Sequence, residues 1–319
     1  MAGEGITIKG AIADSAAPAA PERDWSELHA AAKATRGYWS RAGRRFLRNR
    51  VAVAALICAS LIIIFVLAAP LMSRYITGFT YYENHLGEKL MAPGEGGYIL
   101  GSDGNGRDVL TRLAYGGRVS LLVASLAAMA ILVIGGTIGA SAGFFGGVLD
   151  TFLMRLADVL LSIPTLVLLI LVSSFYQPSP MALAFIIASV SWAGVSRLIR
   201  GEVMSLKNRD FVDAARVLGA SNFRIIMKHI FPNVVPLIVV WASLVVPALI
   251  LVEATLSYLG LGVRPPQPSW GNMLQDAKQF LRQSWTLVFI PGFLIYVAVL
   301  SINLVGSGLR DALDPRLNQ

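Results

Sequence analysis

VAVAALICASLIIIFVLAAPLM, residues 51–72, is a run of 22 amino acids without a charged side chain. Crossing the roughly 30 Å hydrocarbon core of a bilayer takes about 20 predominantly apolar residues in a helix. The run is therefore long enough for one transmembrane helix. The whole chain of 319 residues agrees, with 55% hydrophobic and 14% charged residues and a mean hydropathy of +0.63. This composition excludes a soluble enzyme, a fibre and a disordered chain.

Further apolar runs follow, separated by loops that contain charged residues. They lie at about 119–149, 159–175, 181–196, 234–252 and 284–309, and the fifth run of the chain continues past Glu253 to about Leu261. A soluble core rarely supplies so many stretches of this length. We therefore predict an all-α integral membrane protein with six transmembrane helices.

Glycines in the second run predict how that helix packs. Gly135, Gly139 and Gly143 recur every four residues, so they share one face of a helix. Because glycine has no side chain, such a face lets the backbone of another helix approach closely. We interpret the pattern as a helix–helix contact and not as a ligand site. Gly146 and Gly147 predict a turn before the next span.

Basic side chains are divided unevenly between the two faces of this arrangement. Six crossings place both termini on one side, and that side holds 19 of the 27 Lys and Arg residues. Short cytoplasmic segments carry the excess of Lys and Arg in membrane proteins. Both termini are therefore predicted to be cytoplasmic. The net charge of +8 then reflects orientation and does not require a nucleic-acid partner.

The predicted spans divide the chain into a tail, a membrane domain and a short end. Residues 1–50 form a polar cytoplasmic tail, residues 51–316 form the six-helix domain, and residues 317–319 form the C-terminal end. The six-helix domain contains an extracytoplasmic loop at about 73–117 and a cytoplasmic loop at about 200–235. The cytoplasmic loop is long enough to contain helices of its own.

Arg155, Asp158 and Glu253 fall within or beside predicted spans, where an unpaired charge is energetically costly. Arg155 and Asp158 are three residues apart near the cytoplasmic end of the third span. This spacing favours an ion pair at the membrane interface over a role in transport. Glu253 lies toward the outer end of the fifth span. Its carboxyl group could face a transport pathway or could hydrogen bond to another helix.

The cytoplasmic loop has the local pattern of a helix, a tight turn and a second helix. Asp210 can cap the first helix, and Gly219 can end it in the left-handed conformation that a side chain would penalise. Ser221 can cap the second helix, which we expect to stop before Pro232 and Pro236. A DNA-binding helix-turn-helix has a similar pattern, but spans on both sides would keep this one from a major groove. We expect no nucleic-acid partner.

The first helix of this loop is predicted to dock against a partner protein. The small side chains of Ala214 and Ala215, together with Gly219, would let a partner's cleft close around the backbone. Arg216 and Arg224 are available for charge pairing. The chain has no Gly-x-x-x-x-Gly-Lys-Ser/Thr pattern to cradle nucleotide phosphates, so ATP-driven work would require that partner.

The same loop closely resembles a segment of a known family. The order Asp213-Ala214-Ala215, then Gly219, then His229-Ile230-Phe231-Pro232 resembles the EAA loop of bacterial ATP-binding-cassette (ABC) importer permeases. Asp213 replaces the usual glutamate and Phe231 replaces the usual leucine, so charge and apolar character are kept. Residues 100–120, 256–274 and 309–316 resemble the C-type transmembrane subunit of the dipeptide, oligopeptide and nickel importers.

This resemblance implies a type I importer permease with the MetI-like fold in a bacterial inner membrane. The chain would form half of a translocation pathway for di- or oligopeptides, with nickel or another small solute as alternative substrates. The implied partners are a second, related permease, two ABC ATPase subunits, an extracytoplasmic substrate-binding protein and membrane lipid. ATP and Mg would bind to the ATPases, so we expect no enzymatic activity, cofactor or metal site in this chain. The residues implied in ATPase coupling are Asp213, Ala214, Ala215, Arg216, Gly219 and Pro232, around a coupling helix at about residues 211–218.

Two other classes of function are alternatives. A secondary transporter or channel that works alone would use Arg155, Asp158 and Glu253 as coupling or selectivity groups. This alternative does not explain the EAA-like loop. A structural membrane anchor does not explain the full set of spans with polar loops.

Overall fold

The computed structural model describes residues 40–176 and 178–313 of the chain. Its α-helices are, in chain order, α1 (residues 40–48), α2 (Arg50–Leu67), α3 (Ala69–Met72), α4 (Val109–Phe145), α5 (Gly147–Leu161), α6 (Thr165–Ser174), α7 (Pro180–Leu206), α8 (Asp210–Val217), α9 (Asn222–Ile225), α10 (Phe231–Tyr258), α11 (Trp270–Ala277) and α12 (Thr286–Leu313). π-helical turns at Ser73–Thr77 and Ile226–Ile230 and a 3-10 turn at Lys278–Phe280 extend neighbouring helices. The predicted tail is thus described only from residue 40, and residues 317–319 lie outside the described part.

Five helical segments within the described residues are long and apolar enough to cross a membrane: α2, α4, α7, the continuous helix Asn222–Tyr258 and α12. The third predicted span is instead divided into α5 and α6, which meet at an angle of 82°. Pro164 explains this break, because a proline disfavours helical geometry in the preceding residue, Ile163. α5 accordingly ends at Leu161, and α6 begins at Thr165.

α4 and α7 pack together along the predicted glycine face of α4. The glycines meet the backbone of α7 in the pairs Gly135 with Trp192, Gly139 with Ser196 and Gly143 with Arg200. A side chain at any of these glycines would collide with α7, so the predicted close contact is confirmed. Residue numbers rise together along both helices, so α4 and α7 run parallel. The α5–α6 pair that connects them must therefore return across the membrane, which makes it the sixth crossing.

The two ends of the described chain lie on one face of the helical bundle. Gly308, near the end of α12, packs against Ala52 at the start of α2. At the other end of α2, Val66 packs against Gly117 near the start of α4. α4 consequently runs back to the first face, where Lys207 donates a hydrogen bond to a carbonyl group at the end of α4 (3.0 Å). The loop that contains α8 (residues 207–221, the α8 loop) thus lies on the same face as both ends.

We predicted that the helix after the α8 loop would stop before its prolines. This prediction was wrong, because the helix continues past Pro232 to Tyr258. In a regular α-helix, a proline lacks one N–H donor and its ring clashes with the carbonyl group four residues earlier. Here a π-helical turn precedes the proline, and the Phe231 N–H bonds to Ile226 O, five residues back. This wider turn lets the chain enter α10 with Pro232 in the first turn, where the missing donor is tolerated.

α11 is a short helix wedged between α4 and α10 on the opposite face of the bundle. Ser269 and Asn272 form a capping box at its start. Trp270 is fully buried and donates a hydrogen bond from Nε1 to Leu113 O (2.9 Å). Its backbone N–H donates to Ser120 Oγ (3.2 Å). These contacts hold the start of α11 against α4.

Candidate functional site

α8 spans Asp210–Val217 and begins without a side-chain cap. Arg209 occupies the N-cap position and makes no capping hydrogen bond, so the prediction that Asp210 caps the helix was wrong. The helix starts one residue earlier than we predicted, which places both Asp210 and Asp213 in its first turn. Carboxylates in this turn stabilise a helix through its dipole. Asp213 also accepts a hydrogen bond from Arg216 Nη1 at 3.0 Å.

α8 ends in a Schellman motif built on Gly219, which has φ +78°. The Gly219 N–H bonds to Arg216 O at 2.9 Å, and the Ala220 N–H bonds to Ala215 O at 3.0 Å. These two bonds satisfy carbonyl groups that the end of a helix leaves free. Ser221 then caps α9 by accepting a hydrogen bond from the N–H three residues later (3.4 Å). The left-handed Gly219 and the Ser221 cap are both confirmed.

The two faces of α8 have different surroundings. Val212 and Ala215 are buried and belong to the core of the protein. Asp213, Ala214 and Arg216 are exposed. The small side chain of Ala215 therefore lets α8 pack closely onto its own chain, whereas we predicted that it would face a partner's cleft. α8 is anchored on one face and presents the other.

Exposed apolar side chains lie at the end of α8 and at the start of α9, which we did not predict from the sequence. Val217 and Leu218 are 87% and 86% exposed, and Phe223 is 74% exposed. We call these three residues the apolar patch. Large exposed apolar side chains among charged ones are typical of a surface that a partner covers. The sequence signal was the Val217-Leu218 pair directly after Arg216, at the end of a helix that contains three charged residues.

Pro232 lies apart from the other residues that the resemblance implies in coupling. It is exposed at the start of α10, beyond the π-helical turn. The remaining members, from Asp213 to Gly219, lie on α8 and the turn that ends it. The structure thus brings one compact segment together and places Pro232 on the adjoining helix.

Arg155 and Asp158 lie on α5 at the predicted i,i+3 spacing, with Arg155 Nη1 3.9 Å from Asp158 Oδ2. Asp158 makes a closer ion pair with Arg197 of α7. Asp150 and Arg200 form a second bridge between the same helices, with Nη2 donating to Oδ2 at 2.6 Å. These pairs fasten α5 to α7. Sequence spacing could not indicate them, because their members are 39 and 50 residues apart.

Glu253 lies on α10 and is completely buried. Its Oε1 accepts a hydrogen bond from Ser257 at 2.7 Å. The side chains of Ser120 on α4 and of Ser269, the N-cap residue of α11, lie near this carboxyl group. Oε2 has no well-aligned donor among the described residues. The structure thus places Glu253 at the junction of α4, α10 and α11, an arrangement that fits the helix–helix alternative.

Two family models match the chain. Residues 135–319 match the model described as "Binding-protein-dependent transport system inner membrane component". Residues 37–93 match the model described as "N-terminal TM domain of oligopeptide transport permease C". The first match alone covers more than half of the chain.

Curated relatives align along most of the sequence. The oligopeptide transport system permease protein OppC of Haemophilus influenzae is 43% identical over 283 residues, which cover 88% of this chain and 89% of the relative. OppC of Escherichia coli K12 is 42% identical over 283 residues, with 88% and 92% covered. The dipeptide transport system permease protein DppC of Alkalihalophilus pseudofirmus is 38% identical over 280 residues, with 88% and 90% covered.

A solved structure shares the fold. A chain of the methionine ABC transporter MetNI, in an inward-facing conformation, aligns with a TM-score of 0.53 and 18% sequence identity, over 63% of this chain and 96% of that chain. This likeness agrees with the predicted MetI-like fold. The family match over residues 135–319 and the relatives at 38–43% identity show that the chain is a multi-pass permease and belongs to the inner membrane components of binding-protein-dependent transport systems.

Proposed function

We propose that the chain is the C-type permease subunit of an ABC importer for di- or oligopeptides and forms half of the translocation pathway. Peptide transport is supported by the relatives, which are oligopeptide and dipeptide permeases along 88% of this chain. Nickel or another small solute is the alternative substrate. The alternative mechanism is a transporter that works without an ATPase.

The observation that carries the proposed ATP-driven mechanism is the apolar patch on the α8 loop and the start of α9. Val217 and Leu218 project almost completely into solvent, while Val212 and Ala215 anchor the same helix in the core. A helix held in this way can transmit a push from a partner without bending. We propose that α8 seats in a cleft of one ATPase, whose closure around ATP and Mg shifts the permease between inward-facing and outward-facing packings.

The proposed complex contains this chain, a second related permease, two ATPases and an extracytoplasmic binding protein. Both ends of the chain and the α8 loop are proposed to be cytoplasmic. In support, the described ends of the chain and the α8 loop share one face of the bundle. The predicted cytoplasmic face also holds 19 of the 27 basic residues. The α11 end of the bundle would then face the binding protein.

Co-purification of the ATPases with the permease tests the docking role. We expect Leu218→Asp to release the ATPases, because a buried carboxylate at an apolar contact is unfavourable. Leu86→Asp is the matched control, since Leu86 is also largely exposed, at 64%, but lies in the loop between α3 and α4. If Leu218→Asp retains the ATPases as well as Leu86→Asp does, α8 is not the docking element.

Uptake by reconstituted vesicles tests the substrate. The complete importer should accumulate a labelled tripeptide when ATP is supplied to the ATPases, and should do so only with its binding protein. Accumulation of nickel without peptide uptake would replace the peptide proposal by the nickel alternative. Uptake that persists without the ATPases would refute the ABC mechanism.

A further inference from the structure

A closed ring of four charged side chains lies where the start of α4 meets α11. Arg107 donates from Nε to Asp103 Oδ2 at 2.7 Å and from Nη2 to Asp276 Oδ2 at 2.8 Å. Arg112 Nε lies 3.4 Å from Asp103 Oδ2, and its Nη2 lies 3.3 Å from Asp276 Oδ2. Each arginine therefore contacts both aspartates. Three members of this charge ring come from residues 103–112, and only Asp276 comes from α11.

The members of the charge ring differ in exposure. The side chains of Arg107 and Arg112 are 10% and 3% exposed, and Asp103 is 12% exposed. Asp276 is 45% exposed. Buried guanidinium groups need acceptors nearby, whereas a half-exposed carboxylate can be hydrated instead. The two arginines thus depend on a carboxylate at this position more than Asp276 depends on them.

Asp276 is also the acceptor that is most easily replaced. It uses one oxygen, Oδ2, for both arginines. It lies in the last turn of α11, where the helix dipole disfavours a negative charge. Asp103, by contrast, also accepts backbone hydrogen bonds from Asn105 and Arg107, so it is fixed by its own loop. A competing carboxylate would therefore displace Asp276 and leave Asp103 in place.

A cavity of about 190 Å³ adjoins the charge ring. Its wall includes Arg107, Arg112 and Asp276 and the polar side chains of Gln267, Asn272 and Gln275. This volume has room for several groups of the size of water, which matches the carboxylate end of a peptide. The amide side chains of Gln267 and Gln275 are suitable partners for the peptide main chain, whereas that of Asn272 is held in the capping box of α11.

We propose that Arg107 and Arg112 form a binding site for the C-terminal carboxylate of the transported peptide, and that Asp276 fills this site in the conformation described. Paired guanidinium groups match the geometry of a carboxylate. When the peptide carboxylate replaces that of Asp276, the charge balance around the arginines is preserved, and α11 loses its ionic contact with α4. Arrival of substrate is thereby coupled to release of the C-terminal end of α11, while Trp270 still holds its start. This inference rests on the proposed peptide substrate.

A comparison of a peptide with its C-terminal amide tests the site. The apparent KM for uptake of both is measured with the complete importer, first with the unchanged chain and then with Asp276→Asn. The same binding protein is used with both permeases. Its own preference for the acid or the amide therefore cancels when the unchanged chain is compared with the variant. In Asp276→Asn the arginines no longer have an internal competitor. We expect the ratio of the apparent KM of the amide to that of the acid to rise about tenfold. One charge-assisted hydrogen bond changes a binding constant by about this factor.

Arg107→Gln should have the opposite effect and reduce the preference for the acid relative to the unchanged chain. Glu95→Gln is the control, since this exposed carboxylate lies in the same loop but outside the charge ring. An acid preference that is equal in the unchanged chain, Asp276→Asn and Arg107→Gln would overturn the inference. Loss of all uptake in a correctly assembled Asp276→Asn importer would also overturn it and make the ring a purely structural tie. Failure of the unchanged importer to take up any peptide would instead refute the proposed function.

Discussion

Replacing Gly219 with valine should separate ATP hydrolysis from uptake. Gly219 has φ +78°, a conformation that costs an L-amino acid about 1–2 kcal/mol, and a β-branched residue falls at the upper end of this range. A Cβ at this position would meet no heavy atom within 4 Å, so backbone strain is the whole effect. If α8 relieves about 2 kcal/mol of strain by changing direction, the balance of its orientations shifts about thirtyfold.

The assay is the ratio of peptide taken up to ATP hydrolysed by the complete importer in vesicles. We expect Gly219→Val to lower this ratio strongly while ATP hydrolysis continues, because a misdirected α8 no longer transmits the closure of the ATPases. Gly219→Asn should remain close to the unchanged chain, since asparagine adopts the left-handed conformation more readily than other residues with a side chain.

Gly201→Ala is the matched control for the loss of a glycine. Gly201 is an exposed residue inside α7, and a Cβ there would also meet nothing within 4 Å. Alanine favours a helix over glycine, so this change should leave the ratio intact. If Gly219→Val imports peptide with the same ratio as Gly201→Ala, α8 does not couple the ATPases to the membrane helices through its direction.

Three further changes test the packing of the bundle. Gly139→Val should lower the yield of assembled permease on gel filtration, because the valine side chain would collide with the α7 backbone. Gly136→Ala is the control and should assemble normally, since its Cβ would lie 3.6 Å from the nearest side-chain atom. Burial raises the pKa of the Asp108 carboxyl group, so ionisation of this group destabilises the fold at neutral pH. The thermal stability of the permease should therefore rise as the pH falls through the raised pKa. Asp108→Asn should abolish this increase in thermal stability at low pH but keep the cap of α4. Asp108→Ala should lose the cap and lower the free energy of unfolding by about 1 kcal/mol. If the pH profile of Asp108→Asn equals that of the unchanged chain, Asp108 is not the group that titrates. Glu253→Ala should lower the free energy of unfolding by roughly 1–3 kcal/mol, because the buried Ser257 hydroxyl group loses its acceptor, and Glu253→Gln should restore part of it. Equal melting temperatures for the two variants would argue against this hydrogen bond.

Several features that depend on neighbouring residues could be predicted from the sequence, although the cap at Asp210 was predicted wrongly. The left-handed turn at Gly219 and the cap at Ser221 arise from local backbone chemistry, and both are present. The glycine face of α4 could be predicted because the glycines recur every four residues, which places them on one face of a helix. Hydropathy located the spans, since a long uncharged run has few alternatives to a membrane helix.

Features that depend on distant partners could not be predicted. α4 begins at Val109, well before the uncharged run, because Arg112 is neutralised by carboxylates that include Asp276, 164 residues away. The bend between α5 and α6 and the π-helical turn before Pro232 depend on how the backbone accommodates individual prolines. The inward orientation of Ala215 depends on the core beneath α8.

The glycine seam between α4 and α7 sets the scale of movement that the α8 loop can produce. α7 has 27 residues and is therefore about 40 Å long, and α8 begins shortly after it ends. Because α4 contributes no side chains at its three seam glycines, we expect both helices to tilt together as a single lever arm. A tilt of only about 5° at the α8 end displaces the far end by roughly 3.5 Å. A slight rotation on one side of the bilayer thus becomes, on the other side, a shift wider than a water molecule.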